Sequence, residues 1–197
     1  MIGTHPVSAL APLEYRYALD AAMSIIAGNT PTLVQCHIPE LAGEVRQRIP
    51  YWSEGERASA CLWVEPMSGS WMNELKRIEH TLAASSPLIV IASRPLAALL
   101  KERYSWGGKP LGLQYGGLSK LCRAIASSSF VLETSYGIHS ILAVTLNQLS
   151  QTATSFGRPD LGDRLHFAMR LRYCTTGPFA TLSTVALLIS RRKPESC

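Results

Sequence analysis

The sequence predicts an α/β protein: a three-layer sandwich with one sheet of about five mostly parallel strands, the last antiparallel. Three observations carry this. From residue 32 onward, short apolar runs alternate with helical patterns. The run "PLIVIAS" (87–93) is apolar throughout, as in a strand covered on both faces. Helical stretches separate most of the runs, which gives the crossover connections that parallel strands need. The chain has 197 residues, 47% hydrophobic and 17% charged, enough for one substantial core. No repeat, linker or low-complexity segment divides it, so a single domain over 1–197 is expected.

The elements follow in order. "LEYRYALDAAMSIIAG" (13–28) reads as a leading helix stopped by Gly28 and Asn29, with Ala18, Ala21, Ala22, Ile25 and Ile26 as its apolar stripe. "TLVQC" (32–36) is a short strand, followed by a tight turn and an amphipathic helix reaching residue 49. "ASACLWVEP" (58–66) is a strand closed by proline. In "SWMNELKRIEHTLAA", Ser70 is placed to cap a helix whose Trp71, Leu75, Ile78 and Leu82 share one face. "RPLAALLKER" is another helix, with Pro95 in its first turn. The glycine-rich stretch 104–117 is a loop, and "LSKLCRAIASS" resumes helical spacing. "FVLETSY" (130–136) is a strand, "IHSILAVTLNQLSQTA" and "PDLGDRLHFAMRLRY" are helices, and "FATLSTVALLISRRK" is the last strand. The strands are therefore expected near 32–36, 58–65, 87–92, 130–136 and 180–190. Leu62, Val64, Leu88, Val90, Val131, Leu182, Val185 and Leu187 should be buried, and Lys76, Arg77, Lys101 and Glu102 exposed.

Composition narrows the function. The cysteines at 36, 61, 122, 174 and 197 form no CxxC pair, and the first residues lack the profile of an export signal. Reduced thiols and a cytoplasmic protein are expected. No apolar run approaches the roughly 20 residues that span a bilayer. A net charge of +5 leaves nucleic acid open, but basic residues are not interleaved with aromatics on one face, and a solvated basic surface accounts for them better. The five histidines stand apart, without metal-ligand spacing.

From "ACLWVEP" through "PLIVIASRP" and "FVLETSYGIHS" to "TLSTVALLIS", the chain resembles the carboxy-terminal half of class I S-adenosylmethionine-dependent methyltransferases. In that Rossmann-like family these would be the fourth, fifth, sixth and antiparallel seventh strands of a sheet ordered 3-2-1-4-5-7-6. The resemblance covers about two thirds of the chain and contains no diagnostic motif. Only about 22 residues lie between "TLVQC" and "ASACLWV", room for one helix and a loop. Strands 2 and 3 are therefore absent, and with them the acidic residue that grips the cofactor's ribose. The remaining order, 1-4-5-7-6, is still contiguous.

The turn after "TLVQC" stands where the family's glycine-rich cofactor loop lies, yet it reads Gln35, Cys36, His37, Ile38, Pro39, Glu40. A β-branched residue and a proline without an amide hydrogen suit such a loop poorly. The carboxyl-edge rule for open parallel sheets gathers His37, Glu40, Glu65, Ser68, Ser93, Arg94, Tyr136 and His139 on one edge. If the resemblance extends to activity, Glu65 and His37 form a catalytic general-base pair across adjacent strands. Cys36, Glu40, Ser68, Ser93 and Arg94 would then line a cofactor site. The structural alternative has Glu40 stabilising a helix start and Glu65 paired with Arg94. Cys36 and His37 point to opposite faces and make no dyad. The reading favoured here is a degenerate methyltransferase-like domain that binds no cofactor and serves in binding or assembly; the alternative is a minimal small-molecule methyltransferase using S-adenosylmethionine. The bare "TLVQC" edge leads to the expectation of a homodimer, or a protein partner, through 32–36 or the leading helix, unless that helix covers the edge.

Overall fold

Three strands buried over all or most of their length hold the middle of the sheet. In a computed structural model that describes residues 13–26, 30–50, 52–53, 55–99 and 108–194, these are β2 (Ala60–Val64), β3 (Pro87–Ser93) and β6 (Ser183–Arg192). β1 (Thr32–Cys36) flanks β2, while β4 (Phe130–Ser140) and the short β5 (Cys174–Thr176) continue beyond β6. The order is β1-β2-β3-β6-β4-β5. β1, β2 and β3 pair in parallel, and β6 runs antiparallel to both β3 and β4. This is the 1-4-5-7-6 arrangement expected from the resemblance, with one addition: β5 pairs antiparallel to β4, so a sixth strand exists and the last is not the only reversed one.

Side chains alternate strictly across the three central strands, as the pleat requires. Leu62, Val64, Ile89, Ile91, Val185 and Leu187 face a layer containing α1 (Leu13–Ile25) and α2 (Pro39–Arg48). Cys61, Trp63, Leu88, Val90, Ala186 and Leu188 face α3 (Trp71–Thr81) and α5 (Gly117–Ser127). Between β3 and α5 stand α4 (Pro95–Leu99) and a single 3₁₀ turn at Leu111–Leu113. The chain from β4 to β5 forms a helical hairpin, α6 (Ile141–Ser155) and α7 (Pro159–Leu171). Its base joins the α1 layer through Ala143, Met169 and Tyr173.

Some expectations fail for local reasons. Val131 is 49% exposed, because Phe130 and Leu132 turn to the α5 layer and leave it on the opposite face, outside the core cluster there. Leu182, also 49% exposed, precedes β6 and sits on the rim of a groove. The other expected core residues are buried, and Lys76 and Arg77 are exposed. Lys101 and Glu102 lie outside the described residues. The leading helix packs against β3, β4 and β6 on the sheet face, so covering the β1 edge is not its role.

The loop before α5 is anchored by a close approach. A Cβ on Gly112 would lie 1.9 Å from the backbone oxygen of Ser93, a contact no side chain can make. Gly112→Ala is therefore expected to destabilise the fold by about 1–3 kcal/mol in urea unfolding. An unchanged midpoint would show that the loop does not sit on β3.

Candidate functional site

At the carboxyl edge of the sheet, chain geometry sorts the polar residues onto opposite faces. Glu65 follows Val64, so alternation would send its side chain toward α3 and α5. Its backbone is instead left-handed, with φ 55°, which returns the carboxylate to the α1 side. There Oε2 accepts a short hydrogen bond from the Tyr15 hydroxyl of α1 and one at 2.9 Å from the Ser93 amide. Oε1 accepts from the Ser93 hydroxyl at 2.8 Å. Glu65 is 0% exposed. Burial pushes its pKa up to about 7, against the opposing pull of the hydrogen bonds from Tyr15 and Ser93.

His37 lies on the other face. Its Nε2 is 2.9 Å from Oε2 of Glu74, in the first turn of α3. The same oxygen accepts from the buried Trp63 indole at 2.9 Å, and Oε1 accepts from the Ser70 hydroxyl. Burial disfavours the Glu74 carboxylate, but the hydrogen bonds from His37, Ser70 and Trp63 outweigh it and hold the group below its ordinary range. The expected His37–Glu65 pair is thus not formed: the sheet separates its members, and each has another partner.

The expected Glu65–Arg94 pair is not formed either. Arg94 succeeds Ser93 and emerges on the α5 face, near the Cys122 thiol. Its amide donates to the Thr184 carbonyl at 2.7 Å, and its buried Nε has no hydrogen-bond partner. Burial lowers its pKa. Ser93 is spent on Glu65, and Ser68 ties its loop to Lys109 through its amide. Cys36 Sγ reaches the Ile38 carbonyl at 3.4 Å. Glu40 stands in the first turn of α2, and its side chain lies outside the described residues. His139, left-handed at φ 58°, places Nδ1 3.0 Å from the Thr184 hydroxyl, whereas Tyr136 lines a groove beside α1.

The turn after β1 offers a ligand little. The His37 amide donates to the Val64 carbonyl, Pro39 has no amide hydrogen, and Ile38 is 1% exposed. Tyr15, at 0%, closes the space above Glu65. Beside the turn lies a small groove of about 240 Å³ lined by Gln35, Cys36 and Arg46, while grooves of about 510 Å³, between α1, β4, β6 and α7, and of about 400 Å³, at the start of α6, lie away from it. Among the described residues, no three His, Cys, Asp or Glu side chains gather as metal ligands, and no helix is long and apolar enough to cross a membrane.

Tyr15 and Glu74 were not among the expected site residues. Both sit on stripes legible in the sequence: Glu74 three residues after Trp71 and four before Ile78, and Tyr15 three before Ala18. A polar group on an apolar stripe is the signal that marks them.

No protein-family model matches the chain, and no curated protein matches it. Solved structures resemble it in fold. The CcbJ methyltransferase from Streptomyces caelestis aligns over 96% of this chain and 93% of its own, at 10% identity and a TM-score of 0.48. The [4+2]-cyclase SpnF aligns over 91% and 81%, at 14% identity and 0.48. The mycolic acid cyclopropane synthase CmaA1, in complex with SAH and CTAB, aligns over 90% and 84%, at 11% identity and 0.46. The strand order among the described residues is that of a methyltransferase-like, Rossmann-like fold.

A carboxyl whose folded pKa lies above its unfolded one binds its proton more tightly in the native state. Stability from Glu65 is therefore full below about pH 4.5 and falls as pH rises through about 7. The loss is on the order of 3 kcal/mol. Unfolding free energies of Glu65→Gln should show a flatter pH dependence across this window, and parallel curves would refute the linkage. Glu74→Leu should cost about 2–4 kcal/mol by stranding the Trp63 indole, while Glu74→Gln should cost less, because the amide oxygen still accepts. Equal losses would show that packing, not hydrogen bonding, governs the position.

Proposed function

We propose that this protein is a methyltransferase-like domain that no longer binds S-adenosylmethionine and acts as a non-catalytic binding or assembly protein. One observation carries the reading: the crevice at the carboxyl ends of β1 and β2, where an open sheet of this kind receives its ligand, is filled by the protein's own Tyr15, Ile38 and Glu65, all at most 1% exposed. The residues there do not fit the cofactor. The turn withholds amide donors, and every hydrogen bond found at the Glu65 carboxylate comes from Tyr15 or Ser93.

A second reading, a minimal small-molecule methyltransferase with Glu65 as general base, has its own support. A carboxyl with a pKa of about 7 on a left-handed backbone is suited to proton transfer. Its complete burial and the diversion of His37 to Glu74 weigh against that role.

Thermal melting separates the two. A ligand with a dissociation constant below about 100 μM, added at about 1 mM, stabilises the native state by at least about 1.4 kcal/mol. For a chain of this length that raises Tm by about 3–6 °C. No rise is expected with S-adenosylmethionine or S-adenosylhomocysteine. A rise of that size would establish cofactor binding and make Glu65 and His37 the first residues to replace.

A further inference from the structure

The α6–α7 hairpin carries an exposed apolar surface that neither the core nor the carboxyl edge uses. Helix α6, ILAVTLNQLSQTATS, contains no charged residue over its whole length. Leu142, Leu149 and Phe156, the residue capping its end, stand seven apart and are 45%, 50% and 81% exposed. Seven residues make two helical turns, so the three form one row. Thr145 and Thr152, between them, are exposed and uncharged. At the Leu142 end the row meets an apolar groove of about 400 Å³, lined by Ile141, Leu142, Phe179 and Leu182 among others.

We infer that this face is the interface of a homodimer whose two-fold axis passes Leu149, with Phe156 of each copy seated in the groove beside Leu142 of the other. The row is symmetric about its centre: Leu142 and Phe156 both lie seven residues from Leu149. An antiparallel copy related by a two-fold axis at Leu149 therefore brings its Phe156 level with Leu142, at the mouth of the groove. The exposed ring of Phe156, at the end of the helix, meets the groove able to hold it. A two-fold axis also sets each residue near it against its own copy, which a charged helix would resist and an uncharged one does not. Ile141, Phe179 and Leu182, 43%, 72% and 49% exposed, widen the face toward the roughly 800 Å² per partner of a specific interface. A lipid surface is a poorer match, because helices that lie on membranes carry lysine or arginine along their polar side and α6 has neither.

The dimer names a partner for the proposed assembly role and rests on that reading only for its purpose. Cofactor binding by a dimer would overturn the loss of ligand binding and leave this interface standing. Sedimentation at tens of micromolar should show a dimer. Leu149→Glu, which places two carboxylates across the axis, should give a monomer that still melts cooperatively, since the side chain is half exposed, with a Tm that no longer depends on protein concentration. Phe156→Ser should weaken self-association at least tenfold. Leu149→Cys should yield an oxidised covalent dimer well above the level formed by the unsubstituted protein. A monomeric wild type overturns the inference. So does a dimer that survives both Leu149→Glu and Phe156→Ser, which would move the contact to another surface such as the β1 edge. A monomer that floats with phosphatidylserine vesicles, and loses this with Leu149→Glu, would assign the face to lipid instead.

Discussion

A carboxyl group with no exposure to water must be supplied with donors or stay protonated, and that requirement at Glu65 organises the carboxyl edge of this protein. Ser93 contributes its amide and hydroxyl from β3, and Tyr15 contributes its hydroxyl from α1. The second donor ties the first turn of α1 to the carboxyl end of β2. The left-handed backbone at Glu65 is the cost of this arrangement, about 1 kcal/mol or more. Its consequence is a ligand crevice closed from within.

The same edge shows why proximity in a topology diagram does not make a site. His37, Glu65, Ser93 and Arg94 all end neighbouring strands, yet they divide between two faces with a sheet between them. On the α1 side burial raises the pKa of the Glu65 carboxyl to about 7. On the α3 side a second acid, Glu74, keeps its charge because His37, Ser70 and Trp63 all serve it. Each carboxyl has three donors, yet their electrostatic fates are opposite: at the fully buried Glu65 desolvation outweighs the hydrogen bonds, and at Glu74 the hydrogen bonds outweigh desolvation.

The sheet was readable because its central strands are written in continuous apolar residues. "ACLWV" and "PLIVIAS" leave no other placement, and the short spacing before "ACLWV" already removes two strands. β5 was not readable: its three residues, Cys-Thr-Thr, carry no apolar alternation and gain strand geometry only from pairing with the end of β4. Val131 misled because burial of a strand residue depends on which helix layer reaches it, information absent from the strand itself. The site was legible as a set of residues and illegible as pairs. One positive φ at Glu65 inverts the face on which its partners are found, and residue type alone gives little warning of a left-handed glutamate.

The position of β6 bears on how the chain comes together. β3 and β4 are not neighbours; β6 lies between them and hydrogen-bonds to both. Until residues 183–192 are available, the strands before them can form two pieces: β1 to β3 with α2 and α3, and β4 with β5 and the α6–α7 hairpin. The edges of β3 and β4 that will receive β6 stay unpaired until then. Growth of the chain and growth of the sheet therefore run in different orders, and the closing step is insertion of a strand into a waiting slot, not addition at a rim. For a protein assembled this way, the interval before that insertion is when exposed strand edges are most open to wrong partners, including other copies of the same unfinished chain.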